Sequence, residues 1–444
     1  MSDEFSGAKA AMQHEPDPNA FVEFQRDIYR GLRKPAFSTK PSTWESEARR
    51  ILPEPNFMYI YGAASSESTC ASNLSAFERY RLRPWMLVQA THRDLSVELF
   101  GQRYKSPILA APIGVQEIAH HEAEEATARA CVSTQVPMIL STAATRSIEQ
   151  VAKANGDGDR WFQLYWPVPQ AEEFTASLLK RAKSNGFKVL VVTLDTFMLG
   201  WRPRDLDESY LPFLYGQGCQ NGFSDPAFNR LYERLQAEDT RSAMEKIGEI
   251  WSILKRPASL IGAAKILANA TVMKKSQLFM SLTASGSYSD WSRLSSLKKH
   301  WDGPIVLKGI QTVEDTHRAI EYGMDGIIVS NHGGRQLDGA IGSLDALAEI
   351  GSDEKTKSSN LTILFDSGVR TGSDVLKAIA LGAKAVLIGR PYIYGLAMGG
   401  EAGVKHVLNC LLADTDNSLA NLGKKSLSEV TRDDLRILQQ LAKL

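Results

Sequence analysis

Seven consecutive residues, Ser330-Asn331-His332-Gly333-Gly334-Arg335-Gln336, set an imidazole three positions before a guanidinium on a glycine-softened loop. Histidine suits proton abstraction near neutral pH, and Asp195 is the candidate to orient its ring and stabilise the imidazolium. Arg335 and Arg202 together match a substrate carboxylate, which a guanidinium holds bidentately. Either could instead pair with a structural acid, as Arg204 could with Asp205 or Asp207. Two more segments, Phe365-Asp366-Ser367-Gly368-Val369-Arg370-Thr371-Gly372 and Ile388-Gly389-Arg390-Pro391, combine glycines with charged forked donors. Gly368 and Gly389 let backbone N–H groups approach a ligand, and Arg370 and Arg390 supply charge, which together make a phosphate cradle. Tight turns with solvated arginines are the structural alternative.

These groups need a scaffold that brings them to one place. From Pro107 onward, short apolar runs recur, each followed by a segment long enough for a helix: Ile108 to Ala111, Met138 to Leu140, Trp161 to Leu164, Val189 to Leu194, Ile305 to Leu307, Gly326 to Val329, Thr362 to Phe365, and Ala385 to Ile388. Repeated βα units of this kind predict an α/β fold, a parallel (β/α)8 TIM barrel, whose catalytic groups lie at the C-terminal ends of the strands. The runs end in Pro112-Ile113-Gly114, Ser141-Thr142, Gln163 with Tyr165, Thr193 with Asp195, Lys308, Ser330 with His332 and Arg335, Asp366-Ser367-Gly368, and Gly389-Arg390. So many polar strand ends predict one working mouth. The long interval between the fourth and fifth runs predicts an insertion, about 205–290, acting as a lid or substrate-facing loop. A peripheral helical decoration used in subunit contacts is the other reading. Residues 1–40 read as a flexible arm leading into a helical approach segment, and 41–444 as the barrel domain.

Composition narrows the function classes. The 444 residues are 43% hydrophobic and 23% charged, as in ordinary globular proteins. Lys plus Arg and Asp plus Glu balance at 51 each, so no global field favours nucleic acid or an anionic membrane as partner. Cys70, Cys131, Cys219 and Cys410 lack metal or disulfide spacing, which suits a reducing compartment. His120 and His121 precede an Ala- and Glu-rich helical stretch and read as capping or exposed, and no metal site is expected. No nucleophile elbow occurs and no GxGxxG follows a strand, leaving acyl transfer and nicotinamide binding without support. A signal peptide and a membrane span are not expected. Ala442-Lys443-Leu444 is a conservative variant of the peroxisomal Ser-Lys-Leu address, so the expected compartment is peroxisomal or cytoplasmic.

The segment SNHGGRQLDG closely resembles the signature of the FMN-dependent 2-hydroxy-acid oxidizing family, which includes glycolate oxidase, lactate oxidase, lactate 2-monooxygenase and flavocytochrome lactate dehydrogenase. FMYIYGAAS, APIGV, WFQLYWP, VVTLDTFMLGWRPRD, PIVLKGI, LFDSGVRTG and IGRPY resemble family blocks in the expected order, so the likeness runs from about Tyr59 to the C-terminus. It implies FMN as cofactor, an L-2-hydroxy acid and oxygen as reactants, and a homo-oligomer, tetramer or octamer. By resemblance, Ser141, Gln163, Thr193, Ser330 and Lys308 contact the flavin ring, with Pro112, Ile113 and Gly114 along its N5 side. Asp366, Gly368, Arg370, Gly389 and Arg390 hold the ribityl phosphate end. Tyr59, Tyr165, Arg202 and Arg335 bind the substrate, His332 is the base, Asp195 its partner, and Lys308 stabilises negative charge on the reduced flavin.

Within the family, LDTFMLGWRPRDL, APIGV and Gly114 look most like lactate 2-monooxygenase, which decarboxylates its 2-oxo product. QLDG departs from the QANG of that type, and Ala143 stands where glycolate oxidases resemble one another in a bulkier residue, which leaves room for more than a methyl side chain. A simple oxidase releasing 2-oxo acid and hydrogen peroxide is the first alternative. A cytochrome- or quinone-linked dehydrogenase would want a haem domain or membrane segment. A nucleotide dehydrogenase barrel needs a nucleophilic Cys, and none lies between Cys219 and Cys410. A non-catalytic flavin-binding scaffold would not need His332, Arg335 and Arg202 intact.

Overall fold

A computed structural model describes residues 21–238, 270–286 and 289–438. Its centre is a closed barrel of eight parallel strands: β1 (Ile108–Ala110), β2 (Met138–Ser141), β3 (Arg160–Tyr165), β4 (Leu190–Thr193), β5 (Ile305–Ile310), β6 (Gly326–Val329), β7 (Thr362–Phe365) and β8 (Ala385–Ile388). Each pairs with its neighbours in chain order, and β8 closes on β1 through Val386, Leu387 and Ile388. The strands coincide with the eight apolar runs to within a few residues. Parallel strands are covered on both faces, so they read as unbroken Val, Ile and Leu rather than as alternation.

The pleat sorts these residues into layers. Leu109, Ile139, Trp161, Val191, Val306, Ile328, Leu364 and Leu387, one from each strand, meet inside the barrel in one apolar cluster. Side chains on one face of a strand recur every second residue. The inward positions one step closer to the C-terminal mouth are therefore Ala111, Ser141, Gln163, Thr193, Lys308, Ser330, Asp366 and Gly389. The barrel is thus an apolar plug with a polar ring on top of it. A hairpin of Val97–Leu99 and Gln102–Tyr104 shuts the far end, where Leu99 and Tyr104 join the plug and Trp161 Nε1 donates to the Tyr104 hydroxyl at 3.3 Å.

Three helices outside the barrel matter to its mouth. Helix α1 (Glu54–Tyr61) lies in the approach segment, α2 (Ala270–Thr283) belongs to the insertion, and α3 (Arg390–Leu422) leaves β8 and is broken at Gly399 and Gly400. In the insertion, Phe228 and Phe279 pack with Phe174 beside the barrel. Residues 239–269 and 287–288 of the expected insertion lie outside the described residues, as do 1–20 of the expected arm and the tripeptide Ala442-Lys443-Leu444. Residues 21–40 of that arm are docked: they carry the helix Glu23–Tyr29, and the Val22 N–H donates to Asp416 Oδ2 on α3 at 2.9 Å. Among the described residues, no helix is long and apolar enough to cross a membrane.

Candidate active site

The loops after β4 and β6 meet over the polar ring. His332 Nδ1 lies 2.8 Å from Asp195 Oδ1 and 3.1 Å from Thr196 Oγ1, and the Thr196 hydroxyl also donates to Asp195 Oδ1 at 2.9 Å. His332 has φ +59°, a left-handed conformation that a non-glycine residue adopts only when its surroundings impose it. The Ser330 hydroxyl imposes it in part, accepting from the His332 N–H at 3.0 Å. The same hydroxyl accepts from Lys308 Nζ at 2.9 Å. Lys308 is buried, with Asp195 Oδ2 at 3.6 Å and Asp366 Oδ2 at 3.5 Å.

Charge and burial tune these groups in opposite senses. Burial disfavours the Asp195 carboxylate, but the Lys308 charge and the hydrogen bonds from His332 and Thr196 outweigh it and hold the group well below the usual carboxylate range. Burial also disfavours the Lys308 ammonium, and Asp195 and Asp366 more than restore it. For His332, burial and the Lys308 charge prevail over the Asp195 attraction, so its pKa falls below the ordinary 6.5 and the ring is neutral at pH 7. A neutral imidazole backed by an ionised carboxylate is a poised general base.

Two arginines flank that imidazole. Arg202 donates from Nε to the Arg335 carbonyl at 3.0 Å and from Nη2 to Gln336 Oε1 at 2.8 Å. Arg335 donates from Nη1 to the carbonyls of Tyr59 and Gly62, both at 2.7 Å, and its guanidinium lies 5.3 Å from the Tyr59 ring centroid. Burial, with the nearby charges of Arg202 and Arg390, depresses Arg335 to about 9. Arginine does not shed its proton in a protein at neutral pH, so the depression measures how strongly this cluster favours an anion. Arg335, Arg370 and Arg390 have no ion pair with a carboxylate among the described residues. Burial raises both nearby phenols, Tyr59 and Tyr165, the latter to about 12, so each keeps its proton as a hydrogen-bond donor.

A cavity opens between these groups and the start of α3. Tyr59, Pro112, Ile113, Gly114, Tyr165, Arg202, Lys308, His332, Arg335, Asp366, Gly368, Arg370, Gly389 and Arg390 line it. Ser141, Gln163 and Thr193 stay behind that wall, linked in a chain in which Ser141 Oγ donates to Gln163 Oε1 and Gln163 Nε2 to Thr193 Oγ1, both at 2.9 Å. The two arginines of the loops after β7 and β8 also differ. Arg390 spends its guanidinium on the carbonyls of Ile60, Tyr61, Gly62 and Gly333, binding α1 to the His332 loop. Arg370 has only its Nη1 engaged, to the Val369 carbonyl at 3.0 Å, and no side chain caps the start of α3 beside it.

Sequence reasoning missed Thr196 and the insertion residues Phe213, Phe279 and Met280, all of which line the cavity. Thr196 was detectable as the neighbour of Asp195; the others carry no local signal. It also offered Asp205 or Asp207 as a structural partner for Arg204, whereas the Asp205 carboxylate is buried 3.9 Å from Arg202 and Arg204 pairs with Glu67. His120, His121 and Glu122 bring ligand-type atoms close together outside the cavity wall, where Glu122 is already held by Arg129 at 2.5 Å.

Comparison with known proteins places the chain among relatives of one kind. A family model described as FMN-dependent dehydrogenase matches residues 48–437. The FMN-dependent alpha-hydroxy acid dehydrogenase qulF of Penicillium citrinum is 46% identical over 94% of this chain and 96% of its own length. L-lactate oxidase of Lysinibacillus sphaericus is 39% identical over 86% of this chain and 89% of its own. A crystal structure of mandelate oxidase superposes with a TM-score of 0.72 at 31% identity, covering 90% of this chain and 98% of that one.

Proposed function

This chain belongs to the FMN-dependent dehydrogenase family and is an FMN-dependent α-hydroxy acid oxidoreductase; from that premise we propose that it oxidises an L-2-hydroxy acid to the 2-oxo acid, with oxygen as electron acceptor and hydrogen peroxide as co-product. The carrying observation is that His332, backed by Asp195 and Thr196, faces the same cavity as Arg202 and Arg335.

The residues present fit the cofactor. A Cβ on Gly389 would meet nothing closer than Ile113 at 3.5 Å and would point into the cavity, so this strand end leaves room for a ligand. Beside it, Arg370 keeps donors free at an uncapped helix start, a suitable end for a phosphate. Gly368, Gly389, Arg370 and the α3 start would hold the phosphate end, with Arg390 shaping the cradle rather than reaching into it. Lys308, Asp366, Pro112, Ile113 and Gly114 would surround the ring, and Ser141, Gln163, Thr193 and Ser330 would support it from below. FMN, when bound, supplies the two-electron acceptor and returns the electron pair to oxygen.

The chain's own residues do the rest. Arg202 and Arg335 hold the substrate carboxylate, and Tyr59 and Tyr165 donate to its oxygens. His332 Nε2 takes the proton lost as the C2 alcohol becomes a carbonyl, while Asp195 stabilises the imidazolium. Lys308, a buried fixed cation, lowers the energy of negative charge that builds on the electron-accepting side. Relatives named L-lactate oxidase and peroxisomal (S)-2-hydroxy-acid oxidase support this stereochemistry and outcome over oxidative decarboxylation of the lactate 2-monooxygenase kind.

The test is to purify the holoprotein, confirm FMN by absorbance, and add L- and D-2-hydroxy acids under air. Bleaching by the L series with 2-oxo acid matching peroxide supports the oxidase. A shorter acid plus carbon dioxide with little free peroxide would establish the monooxygenase instead.

A further inference from the structure

Where the loop after β1 turns into the helix Ala123–Thr134, the chain runs His120-His121-Glu122. The sequence points to capping or exposed roles for the two histidines, but the fold sets their ring centroids 4.3 Å apart and brings the Glu122 carboxylate beside them. One ligand-type atom from each of the three residues lies within 4.8 Å of the other two, and among the described residues this is the one such group. None of the three lines the flavin cavity.

The lone pairs are available where an ion would need them. The Glu122 N–H donates to His120 Nδ1 at 3.3 Å, so that nitrogen carries no hydrogen, and Glu122 Oε2 stands 3.9 Å from it. A zinc ion takes imidazole nitrogen at about 2.0–2.1 Å and carboxylate oxygen at about 2.0–2.2 Å, so one ion reaches both atoms with little side-chain movement. Burial, joined by the His121 charge, holds the His120 pKa below its ordinary value against the pull of Glu122, and neutral imidazole is the form that ligates.

The surroundings position the carboxylate and favour a cation. Arg129 donates from Nη2 to Glu122 Oε1 and from Nε to Glu401 Oε2, both at 2.5 Å, which orients the Glu122 carboxylate and leaves Oε2 turned to the histidines. Arg146 fixes the His121 backbone by donating to its carbonyl at 2.6 Å, and is itself paired with Glu117 and Glu125. Four carboxylates thus face two guanidiniums, and the excess is negative. Helix α3 breaks beside the cluster: at Gly400, φ +56°, a Cβ would lie 3.1 Å from His120 Nε2 and 3.2 Å from Glu122 Oε2. A side chain there would press on both groups, and glycine spares them.

We propose that His120, His121 and Glu122 form a surface site for one divalent transition-metal ion of the zinc type, with water completing its coordination. Two imidazoles and one carboxylate suit zinc, nickel or copper, whereas magnesium and calcium prefer all-oxygen sites. His121 is exposed and the other two are partly so, which gives the ion a way in. The site is independent of the 2-hydroxy-acid reading.

Calorimetric titration of the untagged FMN holoprotein, first treated with a chelator, with zinc chloride in excess magnesium tests it. One equivalent is expected to bind. His121→Ala, at an exposed position that folding does not depend on, should weaken binding by at least ~10-fold, and Glu122→Gln should weaken it similarly. Copper(II) in place of zinc should give an electron paramagnetic resonance spectrum with coupling to two nitrogens, falling to one in His121→Ala. No stoichiometric zinc binding, an affinity that both variants leave unchanged, or a copper spectrum without nitrogen coupling would each overturn the site.

Discussion

His332 Nδ1 and Asp195 Oδ1 are 2.8 Å apart, and the bond between them decides which ring nitrogen is free to accept a proton. An ionised carboxylate only accepts, and the Thr196 hydroxyl spends its proton on the same Asp195 oxygen. Nδ1 therefore carries the hydrogen, an assignment that follows from the hydrogen-bond network, and Nε2 is left to accept a proton.

Substituting the base separates chemistry from cofactor retention. His332→Ala should slow flavin reduction by roughly 100-fold or more, the usual worth of a positioned acid–base group. Its flavin absorbance should persist. Anaerobic stopped-flow reduction with a 2-hydroxy acid measures the rate, and an undiminished rate would remove His332 as the base.

The pH profile follows from the depressed imidazole. The ring works when neutral, and its pKa lies below 6.5 because burial outweighs Asp195. kcat/KM should hold as pH falls to that ordinary value and drop only below it, as the ring protonates. Asp195→Asn removes the attraction that raises the pKa, so the acid limb should move to still lower pH while the plateau falls. Thr196→Val should cost at most about 10-fold, the worth of one hydrogen bond. A limb unmoved by Asp195→Asn would dissociate the carboxylate from the base.

Lys308→Met should act on folding as well as catalysis. It leaves Asp195 and Asp366 buried without the cation between them, and breaking a buried charge arrangement costs on the order of 3–5 kcal/mol. Calorimetry should show a clear drop in Tm together with lower FMN content. An unchanged Tm would mean that water or a local shift already neutralises the pair.

Two glycines of the site should respond differently to an added side chain. Gly334 has φ +77°, and a Cβ would lie 2.6 Å from the Cys70 backbone nitrogen, so Gly334→Ala should destabilise by about 1–3 kcal/mol and disturb His332. Gly389 has room, so Gly389→Leu should fold with a near-native Tm yet purify with little flavin. Full flavin occupancy in Gly389→Leu would place the cofactor elsewhere.

Arg202→Lys tests the carboxylate clamp. Its guanidinium bridges the Arg335 carbonyl and Gln336, and an ammonium cannot reproduce that forked geometry. KM should rise about 10-fold or more with FMN content unchanged. Equal KM would assign the clamp to Arg335 alone.

The barrel and its polar ring were legible because both rest on local rules. Buried parallel strands must be Val-, Ile- and Leu-rich, and the two-residue pleat carries Leu109, Ile139 or Val306 forward to the mouth, where Ala111, Ser141 and Lys308 stand in the next layer. Loop chemistry around Gly368 and Gly389 was equally local. The division of labour between Arg370 and Arg390 was not, because Arg390 binds the Ile60 carbonyl 330 positions away, and nothing near residue 390 announces that partner.

The chain's own order of residues thus determined the barrel, the ring of polar strand ends, and a histidine, a carboxylate and arginines at one mouth, since each depends on spacing along a strand or turn. Only tertiary structure decided that Ser141, Gln163 and Thr193 lie behind the cavity wall, that Asp205 is buried beside Arg202, and that Phe213 and Phe279 from the insertion line the same cavity as Arg202 and Arg335. Those outcomes depend on how segments far apart in sequence pack, and packing is set by the shape and burial of both partners together, which no single stretch of sequence contains.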